Sequence, residues 1–289
     1  MSLVKKIPGP LLVFLGAFFL SFGGLIVKSF DENTSLWQIL FWRQVFFAII
    51  VVLYLLIIYK KKFFASFYNS GFPGLVAGFI LALGFSSYVF SMYKTTVANT
   101  NFIITTETIF LALFGYFFLK EKINLITLLS IFFGMAGVIL IIGSSLSFQS
   151  NEEFIGNIVA FVMPISFAIL IIIIRKYPNV DMVPAQFTAG VVAAIIGFFI
   201  ASELSISYHD LLLAFVAGFF QVGLGFILIT IGSQTTPSAV VGILMLSEAV
   251  FGPFWAWLFI NETLPKSILL GGGIIIFSIL LQSFYGKNN

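Results

Sequence analysis

Apolar residues fill this chain in blocks of about twenty, separated by short polar clusters, and neither the two-residue alternation of a half-buried strand nor the one-sided stripe of a soluble helix persists inside a block. Blocks of that length cross a hydrocarbon core of ~30 Å at 1.5 Å per residue. The pattern predicts helices near 10 to 28, 36 to 59, 72 to 93, 97 to 119, 123 to 143, 154 to 174, 184 to 202, 210 to 231, 237 to 260 and 265 to 284. Ten crossings leave no connection long enough for a soluble domain, so any activity resides within the membrane. Composition agrees: 60% of residues are hydrophobic and 9% charged, against roughly a quarter charged in soluble domains.

Charge sets the orientation. Lys5, Lys6, Lys60, Lys61, Lys62, Lys120, Lys122, Arg175, Lys176 and Lys287 fall on one side of the predicted zigzag, and only Lys28, Lys94 and Lys266 on the other. The positive-inside rule then predicts a multi-pass protein of a bacterial-type inner membrane with both termini cytoplasmic. The first block lacks a small-residue cleavage site and reads as a retained helix. A net charge of +3 is low for nucleic-acid binding.

The chain echoes itself. Val76 to Phe79 and Val216 to Phe219 share Val-Ala-Gly-Phe at an offset of 140, and Thr95-Thr96 and Thr235-Thr236 keep it. At an offset of 141, Glu107, Phe110, Phe118 and Glu121 match Glu248, Phe251, Phe259 and Glu262. Small residues at seven-residue spacing, Asn101, Thr108 and Gly115 in one copy and Gly242, Ala249 and Ala256 in the other, draw a packing seam down each helix. Because five is odd, a repeat of residues 1–148 by 149–289 places the second five helices upside down relative to the first.

These residues resemble the EamA-domain branch of the drug/metabolite transporter superfamily. The marks are Phe22-Gly23-Gly24 in the first helix, Arg43 early in the second, and the ending Phe117-Phe118-Leu119-Lys120-Glu121 of the fourth with its counterpart Phe259-Ile260-Asn261-Glu262. The resemblance implies ten helices around a cavity, alternating access, and substrates drawn from amino acids, nucleotide-like molecules, sugars and drugs. Many members carry proline near the position of Glu107, so the resemblance assigns that carboxylate no role.

The residues themselves nominate a site. Glu107 and Glu248 fall near the middle of their helices, where an acid costs ~2.5 to 3.5 kcal/mol to insert and ordinarily faces the bundle interior. The structural alternative is a hydrogen-bonded lock between helices. Arg43 would bind a substrate carboxylate, or pair with one of the two glutamates. Asn99 and Thr100 share a helical face with Glu107 and would line a hydrated path, while Trp42, Tyr88, Gln221 and Trp255 are lesser candidates for ligand contact. Aromatic rings converging beside a glutamate would cage a cationic amine. Pro164 and Pro253 free carbonyls in mid-membrane and nominate helices six and nine for kinks, with Pro253 the better hinge. Glu121 and Glu262 end their helices and read as structural, and the glycines at 271 to 273, with Gly134 and Gly137, mark helix packing or a dimer face.

The expected function is secondary active transport of a small polar metabolite, amino-acid-like or an amine, as an exporter coupled to protons. The alternatives are an importer or facilitator of a cationic or quaternary amine and, outside transport, a structural subunit or receptor. An enzyme is not expected: the chain has one histidine, no cysteine and no HExxH or GxSxG motif. No cofactor or metal is expected. The expected partners are substrate, lipid and protons, with a monomer or homodimer as the assembly.

Overall fold

The computed structural model describes residues 7–143, 151–260 and 266–286, without the side chains of Lys28, Val97, Ala98 and Ile260. The described chain is almost entirely helical. In chain order it forms α1 (Gly9–Leu20, resuming at Gly23–Lys28), α2 (Leu36–Tyr59), α3 (Phe63–Lys94), α4 (Val97–Thr105, then Glu107–Leu119) and α5 (Leu125–Ile142). There follow α6 (Asn151–Ala160, then Val162–Lys176), α7 (Val183–Ile200), α8 (Tyr208–Phe215, a π-helical Val216–Leu224, then Gly225–Ser233), α9 (Ser238–Met245, then Ser247–Ile260) and α10 (Lys266–Tyr285). Among the described residues nine segments are long and apolar enough to cross a bilayer. The longest, Leu36–Lys94 with 59 residues, would measure ~90 Å if straight. It is not straight: Lys60 adopts φ 48°, a 3-10 turn Lys60–Lys62 follows, and α3 folds back on α2. α3 bends again at Gly71, whose φ of 55° and ψ of −158° suit only glycine.

Polar residues punctuate the apolar runs and start the helices. Ser35 and Gln38 form a reciprocal capping box at the head of α2, Asn124 Oδ1 accepts the Thr127 N–H at 2.7 Å, and Ser207 Oγ accepts the Asp210 N–H at 3.1 Å. Each satisfies backbone donors that a helix start leaves orphaned and that lipid cannot pair.

The helix contacts follow a pattern. α5 packs on α10, α2 on α7 and α4 on α9. The larger remaining pairings occur in couples: α3 with α7 and α8 with α2, α1 with α8 and α6 with α3, α4 with α6 and α9 with α1. Small residues set the distances. A methyl group on Gly137 would lie 2.6 Å from the Gly271 carbonyl oxygen, so α5 and α10 meet backbone to backbone. At the centre, Phe47, Phe85, Phe167 and Phe226 from α2, α3, α6 and α8 interlock edge to face, with Phe85 and Phe226 centroids 5.2 Å apart.

The helix breaks fall partly away from the prolines. Pro253 lies inside a continuous Ser247–Ile260 segment, and α9 breaks instead at Leu246; one missing hydrogen bond bends a helix without ending it. α4 also breaks, at Thr106, although it has no proline. There the Thr105 and Thr106 hydroxyls donate back to the Phe102 and Ile103 carbonyls, at 2.6 and 2.5 Å, competing with the helical ladder. The break in α6 does follow its proline: Pro164 has no N–H for Ala160, where the first segment ends.

Candidate functional site

The breaks in α4 and α9 place the two mid-membrane glutamates. Glu107 opens the second segment of α4 and Glu248 is the second residue of the second segment of α9, so each carboxylate occupies the first turn of a restarted helix. The positive end of the local helix dipole favours a negative group there. Around this point the two helices form a fork. Glu107–Leu119 packs on Ser238–Met245, held by the Thr108 hydroxyl donating to the Gly242 carbonyl at 3.0 Å. Beyond the breaks the arms part: Val97–Thr105 packs on α5 and α6, whereas Ser247–Ile260 packs on α10 and α1.

Four polar side chains, two of them at the fork, lie each within electrostatic reach of the next. Glu107 interacts with Glu248, Glu248 with Tyr88, and Tyr88 with Arg43. Glu107 is 5% exposed and Arg43 8%, while Glu248 and Tyr88 are half-buried. None of the four side chains makes a hydrogen bond or ion pair with a described residue, and Arg43 Nε is fully buried without a partner. Of the two roles open to Arg43, pairing with Glu107 or Glu248 is thus not what the structure shows.

The other nominated residues are committed elsewhere. Asn99 and Thr100 are 1% and 0% exposed. Asn99 Nδ2 donates to Thr95 Oγ1 at 2.9 Å, Thr95 donates on to Asn157 Oδ1 at 2.8 Å, and the Thr100 and Ser91 hydroxyls bond at 2.8 Å. These two residues therefore tie α4 to α3 and α6 instead of lining a wet path. Trp42 Nε1 donates to the Leu204 carbonyl at 2.8 Å, and Gln221 Nε2 to the Leu20 carbonyl at 3.0 Å from within the π-helical stretch. Trp255 Nε1 donates to Ser21 Oγ at 2.9 Å, and its ring stacks on Phe22 with centroids 4.5 Å apart. Phe18 and Phe251 complete that cluster. Sequence reasoning missed these phenylalanines as a unit, although Phe14, Phe18 and Phe22 recur at four-residue spacing and signal one helix face.

Gln44, next to Arg43 on α2, is fully buried with both amide atoms unpaired. At one end of α4, Glu121 accepts from Arg175 Nε at 2.7 Å and from the Ser238 N–H at 2.8 Å. Its counterpart Glu262 lies outside the described residues. Asp31, His209 and Asp210 bring ligand-type atoms within 4.8 Å of one another, but they serve the α8 cap: the Asp210 carboxylate accepts from Thr34 and from the Asp31 N–H at 3.2 Å, and the Asp210 N–H donates to Ser207 Oγ.

The fork, two carboxylates and a guanidinium suit capture of a small charged solute. Comparison with known proteins supplies the class. The EamA-like transporter family model matches residues 7–143 and again residues 154–284. An uncharacterized transporter of Clostridium kluyveri is 23% identical over 240 residues, covering 79% of this chain and 77% of that protein. Solute carrier family 35 member G1 of Mus musculus is 27% identical over 202 residues, 65% of this chain and 54% of that one. A solved crystal structure superposes with a TM-score of 0.84 at 14% identity, covering 95% of this chain and 96% of that chain, and so shares the fold. With both halves matched by one family model, the chain is a multi-pass membrane protein that belongs to the EamA-like transporter family.

Proposed function

We propose that this transporter exports a small amino-acid-like metabolite from a bacterial-type cell, in exchange for protons, by alternating access at the α4–α9 fork. One observation carries the reading: four titratable or charged side chains, Arg43, Tyr88, Glu248 and Glu107, each within electrostatic reach of the next, bond to no described residue. Groups that served only to hold helices together would be paired, as Asn99, Thr100 and Thr108 are.

The reading includes two five-helix repeats, residues 1–148 and 149–289, related by an axis in the membrane plane, with both termini cytoplasmic. The coupled contact pairs support it, since exchanging α1–α5 for α6–α10 maps the larger pairings onto themselves or onto one another. So do the two matches of the family model and breaks at equivalent points, Thr106 and Leu246. Two such repeats rocking about their shared fork expose the same site to either face. Proton exchange follows if a carboxylate holds the solute in one state and a proton in the other, because a buried site does not cheaply hold both.

Purified protein in liposomes, screened with radiolabelled amino acids, amines, sugars and sugar phosphates under an imposed pH gradient, tests this. Uptake of an amino acid driven by an opposed proton gradient is expected. Selective transport of sugar phosphates, or transport indifferent to the gradient, would sink the reading.

A further inference from the structure

Arg43 differs from every other buried polar group near the fork in carrying a permanent charge. Its side chain is 8% exposed, its Nε is sealed from solvent, and no carboxylate among the described residues pairs with it. The position is fixed from below. Its own carbonyl touches Gly218 of the π-helical stretch, where any side chain would collide with it, so α2 is pinned against α8 at this residue. Tyr88 from α3 lies within electrostatic reach of Arg43, and Glu248 from α9 within reach of Tyr88. Glu248 is felt by Tyr88 but makes no ion pair with Arg43.

A guanidinium taken from water without a partner is costly, and the cost is recovered when a planar anion accepts its forked donors. Tyr88, whose hydroxyl bonds to no described residue, has a donor to add to the same anion. The two glutamates lie along the chain of interactions beyond it, where a cationic group is favoured. The site is therefore polarised, with an anion end on α2 and α3 and a cation end on α4 and α9.

Building on the transport reading above, we infer that Arg43 and Tyr88 form a carboxylate subsite, so that the solute is a zwitterion held with its carboxylate on α2–α3 and its amine toward Glu248. Simple and quaternary amines lacking a carboxylate are then poor ligands, which excludes the class that two glutamates alone would favour.

The chain contains only two arginines, Arg43 and Arg175, which makes a direct test practical. Protein carrying Arg175→Lys, which keeps the charge opposite Glu121, is placed in nanodiscs and treated with phenylglyoxal, and the Arg43 adduct is followed by peptide mass. The proteinogenic L-amino acids and their decarboxylated amines are added one at a time. Adduct formation in the ligand-free protein is expected, with at least one amino acid slowing it about tenfold near ten times its Kd while the matching amine leaves the rate unchanged. Three results overturn the proposal: Arg43 that never reacts, protection by an amine equal to that by its amino acid, or no protection by any amino acid. Parallel uptake measurements in liposomes separate the outcomes, because an amino acid that is transported without protecting Arg43 refutes the subsite and leaves transport standing. A role in folding alone predicts that Arg43→Lys and Arg43→Gln fail together; the subsite predicts that Arg43→Lys elutes as a monodisperse protein and binds the protecting amino acid at least about tenfold more weakly.

Discussion

Arg175 Nε and Nη2 lie 2.7 and 2.6 Å from the same oxygen of Glu121, while the other oxygen accepts the backbone N–H of Ser238. One carboxylate thus joins the end of α4, the end of α6 and the start of α9. Both side chains are less than a fifth exposed. Glu121→Gln keeps an acceptor but loses the charge, and a loss of about 1 to 3 kcal/mol is expected, between the surface and buried limits for ion pairs. The fraction of protein surviving a heating series in detergent measures it. Survival identical to wild type would show that the contact does not hold this face together.

Glu248→Gln preserves shape and hydrogen-bonding capacity while abolishing titration. Gradient-driven transport is expected to collapse, with substrate exchange across an equal-pH membrane retained in part. Glu107→Gln is expected to be the milder change, since Glu107 is the more deeply buried of the two and Glu248 is half-buried. Full pH-gradient dependence in both variants would remove these carboxylates from the coupling mechanism.

Gly242 sits where α9 crosses α4, and a methyl group there would lie 2.7 Å from Thr108 Cα. Gly242→Ala is expected to cost about 1 to 3 kcal/mol through overpacking and to break the Thr108 hydrogen bond. Gly273→Ala, which meets nothing within 4 Å, is the matched control. Equal thermal stability of the two variants would contradict the tight crossing.

Asp181, in the turn before α7, is pushed above the usual carboxylate range by burial, against bonds from the Val183 N–H and the Tyr59 hydroxyl that favour its charged form. The folded protein therefore holds this proton more tightly than the unfolded chain. The group's contribution is fully present below the unfolded Asp pKa of ~3.9 and is lost as pH rises through the folded value. Asp181→Asn removes that dependence, so its stability relative to wild type should improve as pH rises. A pH-independent difference in unfolding temperature would rule this out.

The apolar blocks were legible because hydrophobic length determines them. Where the helices break was less so. Thr106 interrupts α4 through hydroxyls that bond their own preceding carbonyls, and threonine in an apolar run gives no warning comparable to proline. The fates of Asn99 and Thr100 were hidden for another reason: their partners Asn157 and Ser91 come from other helices. Arg175 was legible only as a topology charge, since its bond to Glu121 spans two helices distant in sequence.

The fork gives the molecule mechanical advantage. Val97–Thr105 contains nine residues beyond its break and Ser247–Ile260 fourteen, arms of ~13 and ~21 Å at 1.5 Å per residue. A rotation of about 20° at Thr106 or Leu246 would carry the tips through roughly 5 and 7 Å, the scale of a small solute, while the residues beside the glutamates shift by less than a bond length. Nitroxides near the two tips would read such leverage as a change in distance several times larger than any at the site itself.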